Sequence, residues 1–428
     1  MKDSETEDSR EGQPHSTLIV SYVYPPEHAP AGVMVSELAE DLAARGHQVT
    51  VITGWPNHPA GVLFPGWHAR WRSVEQDPRG FRVMRCGHSI HPREGMLWRL
   101  WYYFTFGLNA MIAGARSGSY DAVLCLSTPV FGTWAAWLLA KIKRARFVYA
   151  IFDLHPEAAA NAGLISRGVP YHVLRMADTV LCRLSDSIVT LSEGLKAEIL
   201  ARGMRPEKIE VVAFWLDGRK IQPKPRDNTW RREHGIATET FVALYAGTIG
   251  YISGAEVLIE TARRLASRKD ILILIVGEGP IKDRIQDAAV RLDLMNLWFL
   301  PFQPASVLDE VLATADMGLV TLLPEAGKTS IPSKVLGYLA AGRPVIASVA
   351  PESDTAKMLR LGECGRVTLC TDSAELAKAI QDLADDPEMR LDMGRRGRAY
   401  FEKAFDRATT TGAYERLLFN DEVSLGDS

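Results

Sequence analysis

Two short stretches of this chain hold residues whose types and spacing suit the binding of an anion and the handling of a proton. In the first, Ser330-Ile331-Pro332-Ser333-Lys334 leads into a helical pattern that ends at Gly342. Ser333 is placed to cap that helix, and Pro332 stops it from extending backwards. A helix N-terminus offers free backbone N–H groups and partial positive charge, and a lysine in the first turn adds a full one. Together they suit a diphosphate. An ordinary capped helix with a solvated lysine fits the spacing equally well. In the second stretch, Asp153-Leu154-His155-Pro156-Glu157 follows the apolar run RFVYAIF. Asp153 or His155 could hold a ligand or orient a hydroxyl. The same residues also read as a turn cap and a hydrogen-bonded loop histidine, and Glu157 as a cap of the next helix.

The elements around these residues follow one rhythm. TLIVSY, a Pro- and Gly-rich loop, the amphipathic stretch VMVSELAEDLAARG and then QVTVIT read as strand, loop, helix and strand. FRVMRC, AVLCLS, RFVYAIF, SIVTL and IEVVAF continue the series. Such nearly all-apolar strands belong to a parallel sheet covered on both faces. Near Asp217 the rhythm breaks at DGRKIQPKPRDNTWRREHG, which reads as a polar linker over 217–235. A second series then follows: FVALYAG, ILILIVG, LWFLPF, MGLVTLL, PVIASV and GRVTL. The expected organisation is a tail at 1–16, an N-terminal domain at 17–216 and a C-terminal domain at 236–398. A helix at 399–418 returns to the N-terminal domain, and a second tail runs over 419–428. The fold class is α/β, with two Rossmann-like, doubly wound parallel sheets facing a central cleft, where ligands of such sheets bind.

Composition narrows the function. Among 428 residues, 49 Lys and Arg against 52 Asp and Glu give a net charge of -3, which argues against a dedicated nucleic-acid binder. The five Cys show neither zinc spacing nor a disulfide framework, which suits a reducing compartment. The polar N-terminus lacks the pattern of a signal peptide, and no stretch is apolar enough to span a bilayer. A cytoplasmic protein is expected. Gly277-Glu278-Gly279 lacks the third glycine of a dinucleotide fingerprint and reads better as a tight strand-to-helix turn.

Several motifs, in order, resemble glycosyltransferase family 4. They are YVYPPEHAPAGV, the Pro-Asn-x-Pro-x-Gly element at Pro56–Gly61, Asp153-Leu154-x-Pro156-Glu157, Tyr245-Ala246-Gly247-Thr248-Ile249-Gly250, Val276-Gly277-Glu278-Gly279-Pro280 and AAGRPVIAS. They point to a bacterial branch that includes colanic acid and L-fucosamine-type transferases. The resemblance spans roughly Thr17 to Leu418. It implies the GT-B fold and a retaining glycosyltransferase that needs no metal and no cofactor beyond its nucleotide-sugar substrate. The expected donor is a UDP-sugar, N-acetylated or deoxy, and the expected acceptor a lipid-linked saccharide of surface polysaccharide assembly. The implied catalytic residues are Asp153 and His155. The implied donor-binding residues are Gly32, Gly247, Thr248, Gly277, Glu278, Ser330, Ile331, Pro332, Ser333 and Lys334. Gly32 would let the loop backbone approach the donor closely.

The chain also departs from the family pattern. The two positions of the family's Glu-x7-Glu pair are Thr329 and Gly337. The Arg and Lys that often neutralise the diphosphate are matched by Thr248 and Ser253, and the Asn before the linker by Phe214. The phosphate role is therefore expected at Lys334 and the amides of Ser330 to Ser333. A nucleotide-sugar epimerase of the same fold and a non-catalytic partner subunit stay open as alternatives. Finally, Met96 to Ile112 is dense in aromatics, and Arg70, Arg72, Arg79, Arg82, Arg85 and Arg93 lie upstream. That combination suits a helix lying in a membrane interface with anionic headgroups nearby, although a core helix packed on the sheet would also carry one apolar face.

Overall fold

The computed structural model describes residues 14–27, 29–58, 61–90, 96–127, 130–161, 165–324 and 331–419. The chain divides into two compact units. The first runs up to Leu191 and adds Leu195–Val212 and the end of the chain from Thr411. The second holds Ser192–Gly194 and Ala213–Thr410.

The first unit contains an eight-stranded sheet. Its strands are β1 (Ser16–Val20), β2 (Gln48–Thr53), β3 (Arg72–Gln76), β4 (Arg82–Cys86), β5 (Ala122–Leu126), β6 (Arg146–Ile151), β7 (Ser187–Thr190) and β8 (Ile209–Val211). They lie in the order β3-β4-β2-β1-β5-β6-β7-β8. β1 pairs with β2 on one side and β5 on the other, both parallel, so the winding reverses there. The central strands are apolar because helices cover both faces, and Leu18, Ile19 and Val20 are wholly buried. One edge departs from the all-parallel expectation: β3 runs antiparallel to β4 through a tight turn in which Asp77 N–H donates to the Phe81 carbonyl (2.8 Å). β3 has a mostly exposed sequence, RSVEQ, as an edge strand can. β1 begins at Ser16, inside the expected N-terminal tail.

The second unit contains six parallel strands: β9 (Phe241–Ala246), β10 (Ile271–Val276), β11 (Leu297–Leu300), β12 (Met317–Thr321), β13 (Val345–Ser348) and β14 (Gly365–Thr368). Their order is β11-β10-β9-β12-β13-β14. The winding reverses between β9 and β12, so the loops after these two strands part at their carboxyl ends. That is where a doubly wound sheet leaves a ligand crevice. The segment expected as a linker is instead packed into this unit. Trp230 is 3% exposed and Arg231 is fully buried, with Arg231 donating to the carbonyls of Thr314 (2.9 Å), Ala237 (2.8 Å) and Thr240. Its polar sequence misleads because the guanidinium satisfies backbone carbonyls rather than water.

The helix expected over 399–418 is two helices, Pro387–Ala404 and Arg407–Phe419, broken at Phe405. From Thr411 the second belongs to the first unit. Glu415 there accepts from Arg45 (2.9 Å) and contacts His47 Nε2 (2.7 Å), and Arg146 donates to the Leu417 carbonyl (2.9 Å).

Candidate functional site

In the second unit, a cavity of about 670 Å3 opens at the carboxyl ends of β9 and β12. The loop Gly247–Gly250 after β9 forms one side. The helix Ser333–Ala340 enters from the other, with Pro332, Ser333, Lys334 and Gly337 on the cavity wall. Pro332 is the N-cap of that helix, and Ser333 is its first residue rather than the cap. Proline has no side-chain acceptor, so no side chain caps the first turn. The amides expected to be capped by Ser333 are therefore left for a ligand.

Lys334 reaches across to β9. Its Nζ lies 3.4 Å from the centroid of the Tyr245 ring, and Gly247 leaves room for its stem, since a Cβ on Gly247 would sit 3.3 Å from Lys334 Cε. Gly247 holds φ +138, which favours glycine independently. Burial pushes the Lys334 ammonium down to about 7, with no counter-charge among the described residues to oppose it. Two tyrosines frame this geometry. The Tyr245 hydroxyl donates to the Thr248 carbonyl (2.9 Å), and the Tyr338 hydroxyl accepts from the Ala246 N–H (2.7 Å), tying the helix to the end of β9.

Gly247, Thr248, Pro332, Ser333 and Lys334 thus meet at one end of one cavity. Ser330 lies outside the described residues. Ile331 is half-buried and packs against the hydrophobic core. Gly277 and Glu278 have other jobs. A Cβ on Gly277 would fall 2.0 Å from the Gly247 carbonyl oxygen, so this glycine lets the loops after β9 and β10 touch. Gly279 does the same against Ile249, and the Ile249 N–H donates to the Glu278 carbonyl (2.9 Å). The Glu278 carboxylate pairs with Lys282 (2.7 Å), one helical turn on. The Gly-x-Gly motif is a packing device that holds the Gly247 loop in place.

In the first unit, Asp153 and His155 sit in the loop after β6, where the His155–Pro156 bond is cis. Asp153 is solvent-facing, yet the protein around it raises its carboxyl above the usual range, with His155 opposing that shift. Glu157 is the first residue of the short helix Glu157–Asn161, and its carboxylate accepts from Arg202 (2.6 Å) and Arg175 (3.0 Å). Arg202 also binds Asp178 (2.6 Å), whose other oxygen accepts from Tyr149 (2.7 Å). Arg202 donates to the His155 carbonyl as well (3.4 Å), so this network ties down the loop that carries Asp153 and His155.

Gly32 plays a different part from the one expected. It lies in the first turn of the helix Pro30–Ala44, and a Cβ there would come within 3.1 Å of the Tyr24 backbone nitrogen. Its smallness serves the chain's own backbone. The sequence reading missed Glu27. Only 3% exposed, it accepts from the N–H groups of Tyr24 (3.1 Å), Asn57 (2.8 Å) and His58 (2.7 Å). It therefore clips the Tyr-Pro-Pro-Glu loop to the Pro-Asn-x-Pro-x-Gly loop. The signal was the co-occurrence of these two motifs, each following a strand.

The aromatic segment is the helix Met96–Ala115. Tyr102, Phe106 and Ala110 are buried, whereas Trp98, Trp101, Phe104 and Leu108 are 41–51% exposed. Gly107 allows close approach to the helix Val130–Lys143, since a Cβ would meet the Phe131 carbonyl oxygen at 2.8 Å. Arg85 is not available to a headgroup. It is buried and donates to the carbonyls of Pro25 (2.7 Å) and Gly54 (3.3 Å). Arg93 lies outside the described residues. Among the described residues, no helix is long and apolar enough to cross a membrane, and no group of three His, Cys, Asp or Glu side chains could hold a metal ion.

Comparison with known proteins covers both units. Residues 31–215 match the glycosyl transferase 4-like domain, and residues 226–400 match the glycosyl transferases group 1 domain. The Escherichia coli (strain K12) glycosyl transferase WcaI, named for colanic acid biosynthesis, is 28% identical over 333 residues, covering 76% of this chain and 81% of that protein. Sucrose-phosphate synthase (tll1590) from Thermosynechococcus elongatus superposes with a TM-score of 0.70 at 17% identity, over 95% of this chain and 100% of that one. Anabaena Alr3699/HepE, solved in complex with UDP and glucose, gives 0.66 at 18% identity, over 94% and 99%. The two structural likenesses speak to the fold.

Proposed function

The chain belongs to the GT-B glycosyltransferases, and from that premise we propose that it moves a sugar from a nucleoside-diphosphate donor held in the second unit. The observation that carries this reading is the Lys334 end of the cavity. There a helix N-terminus without a side-chain cap and a lysine with no counter-charge among the described residues face the Gly247 loop. These groups suit the charge that builds on a departing nucleoside diphosphate. UDP in Alr3699/HepE supports a UDP-sugar as the donor. WcaI supports surface polysaccharide assembly as the setting. In that setting the proposed acceptor is a lipid-linked saccharide and the proposed group moved an N-acetylated or deoxy sugar.

In this reading Lys334 and the first-turn amides neutralise the leaving diphosphate, with no metal assigned to that role. The loop after β6 serves the sugar and the acceptor. Asp153, with its raised carboxyl, orients the attacking hydroxyl, and His155 holds the sugar beside it. Transfer proceeds with retention, for which no strong protein nucleophile is needed. The exposed Trp98, Trp101 and Phe104 bring the protein to the cytoplasmic membrane face that carries the acceptor, as an interfacial rather than a spanning helix.

The test is transfer from a panel of UDP-, GDP- and dTDP-sugars to a polyprenyl-diphosphate-linked saccharide, followed by mass spectrometry and anomeric NMR. A glycosylated acceptor with retained configuration is expected. An epimerised donor formed without acceptor would replace this reading with an epimerase. Liposome flotation with Trp98→Ser and Trp101→Ser tests the membrane part, and undiminished flotation would remove it.

A further inference from the structure

Three long helices of the first unit, Met96–Ala115, Val130–Lys143 and Val169–Leu184, follow β4, β5 and β6 in turn. The connections they belong to all step the same way across the strand order. Right-handed crossovers therefore lay the three on one face of the sheet, with Val130–Lys143 packed between the other two. A helix in such a layer hides one apolar stripe against the sheet and turns polar residues outward. These helices carry a second apolar stripe on the outside. On the first it is Trp101, Phe104 and Leu108, and on the third Val173, Met176 and Val180, with the same spacing of three and four residues. On the middle helix Leu138 and Ile142 continue it, and Phe131 meets Phe104 edge to face, with ring centroids 5.7 Å apart. Met176 is 64% exposed and Ile142 55%, so these side chains belong to the surface rather than to the edge of the core.

An exposed apolar face of this extent marks a contact with a membrane or another protein, and its charge selects between them. The sequences of the three helices contain a single carboxylate, Asp178, which is buried and held by Arg202 and Tyr149. Lys141, Arg144, Arg175 and Arg183 are exposed along the middle and third helices. Asp186 lies 4.0 Å from Lys141, and Glu157 accepts from Arg175, so among these groups the rim keeps a positive excess. A second copy of the chain docked here would bring two positive rims together. A bilayer takes the apolar side chains into its interface, and anionic headgroups answer the rim.

We infer that the helices Val130–Lys143 and Val169–Leu184 form a second lipid-binding surface continuous with the aromatic helix, and that the lipid it selects is anionic. The inference rests on the membrane part of the reading above and goes past it. A single interfacial helix can roll about its own axis, whereas three parallel stripes hold the first unit in one orientation on the bilayer. The outward residues of the third helix touch neither Lys334 nor Asp153, so their replacement leaves the transfer chemistry alone.

The experiment is flotation of the full chain with vesicles of phosphatidylcholine alone and of phosphatidylcholine mixed equally with phosphatidylglycerol. The parent is expected to bind the mixed vesicles at least about fivefold more strongly, the scale of one basic residue near an anionic surface. Equal binding to both would overturn the selection of anionic lipid. Val173→Ser combined with Met176→Ser is expected to weaken binding to the mixed vesicles roughly tenfold or more, in a protein that melts as the parent does. Arg183→Glu is expected to weaken binding to the mixed vesicles alone. Undiminished flotation of the Val173→Ser, Met176→Ser protein, where Trp98→Ser with Trp101→Ser abolishes it, would overturn the inference and leave the single-helix reading standing. A parent that binds neither vesicle removes that reading and this inference together. A lipid-free dimer in sedimentation that Met176→Ser dissolves would assign the face to a second copy instead.

Discussion

Lys334 Nζ stands 3.4 Å from the centroid of the Tyr245 ring, and burial alone has brought its pKa down to about 7. The aromatic face gives the ammonium a weak partner while the anion site is open. A diphosphate arriving at the helix N-terminus supplies the missing counter-charge and raises that pKa again. Binding above neutrality must therefore take up a proton. At pH 8, calorimetry of UDP in buffers of different ionisation enthalpy is expected to show uptake approaching one proton, and affinity should weaken as pH rises above 7. Lys334→Met should abolish the uptake.

Stability carries the opposite sign. The unfolded chain keeps this proton up to the ordinary lysine value of 10.5, whereas the folded chain sheds it near 7. The unfolded state binds more protons between those values, so stability from this residue rises with pH across that window. The penalty is complete below about pH 7. Lys334→Met is expected to melt higher than the parent at pH 6, with the gap closing toward pH 10.

Asp153 and Glu157 lie four residues apart and should respond differently to substitution. Asp153→Asn removes a solvent-facing carboxyl, so kcat should fall at least 100-fold, the scale of a lost acid–base group, with little change in Tm. Glu157→Gln disturbs the ion pairs that fix Arg202 and Arg175. It is expected to cost about 1–3 kcal/mol of stability. Denaturant titration alongside steady-state kinetics separates the two.

The glycines differ in the same way. Gly277→Ala forces a methyl group to within 2.0 Å of the Gly247 carbonyl oxygen, and only backbone movement can relieve that. A loss of about 3 kcal/mol or more is expected, with the Gly247 loop displaced and UDP affinity reduced. Gly337→Ala meets only the Leu312 side chain and should be close to neutral. Urea unfolding of the pair checks both.

Glu27→Ala leaves three backbone N–H groups without their acceptor. The expected cost is more than about 2 kcal/mol, with faster hydrogen exchange at Tyr24, Asn57 and His58.

The strands with both faces buried could be read from apolar runs such as ILILIV, because burial leaves no room for polar alternation. β3 could not, because RSVEQ is exposed at a sheet edge and its pairing depends on the turn at Asp77. The segment 217–235 looked like a linker because the partners that bury it include Thr314, which accepts from Arg231, and Gln303, which accepts from the Trp230 indole, both far along the chain. Lys334 was legible from its place after Pro332, but its partner was not, since Tyr245 is 89 residues away and reads as an ordinary strand residue. Glu27 was hidden for the same reason: its acceptor role exists only once the 57–58 backbone is folded against it.

The central claim is that Lys334 anchors a nucleoside diphosphate, and UDP affinity of Lys334→Met against the parent at pH 7 tests it most directly. The account expects binding weakened at least tenfold in a protein whose Tm is equal or higher. Undiminished UDP affinity in that variant would contradict it.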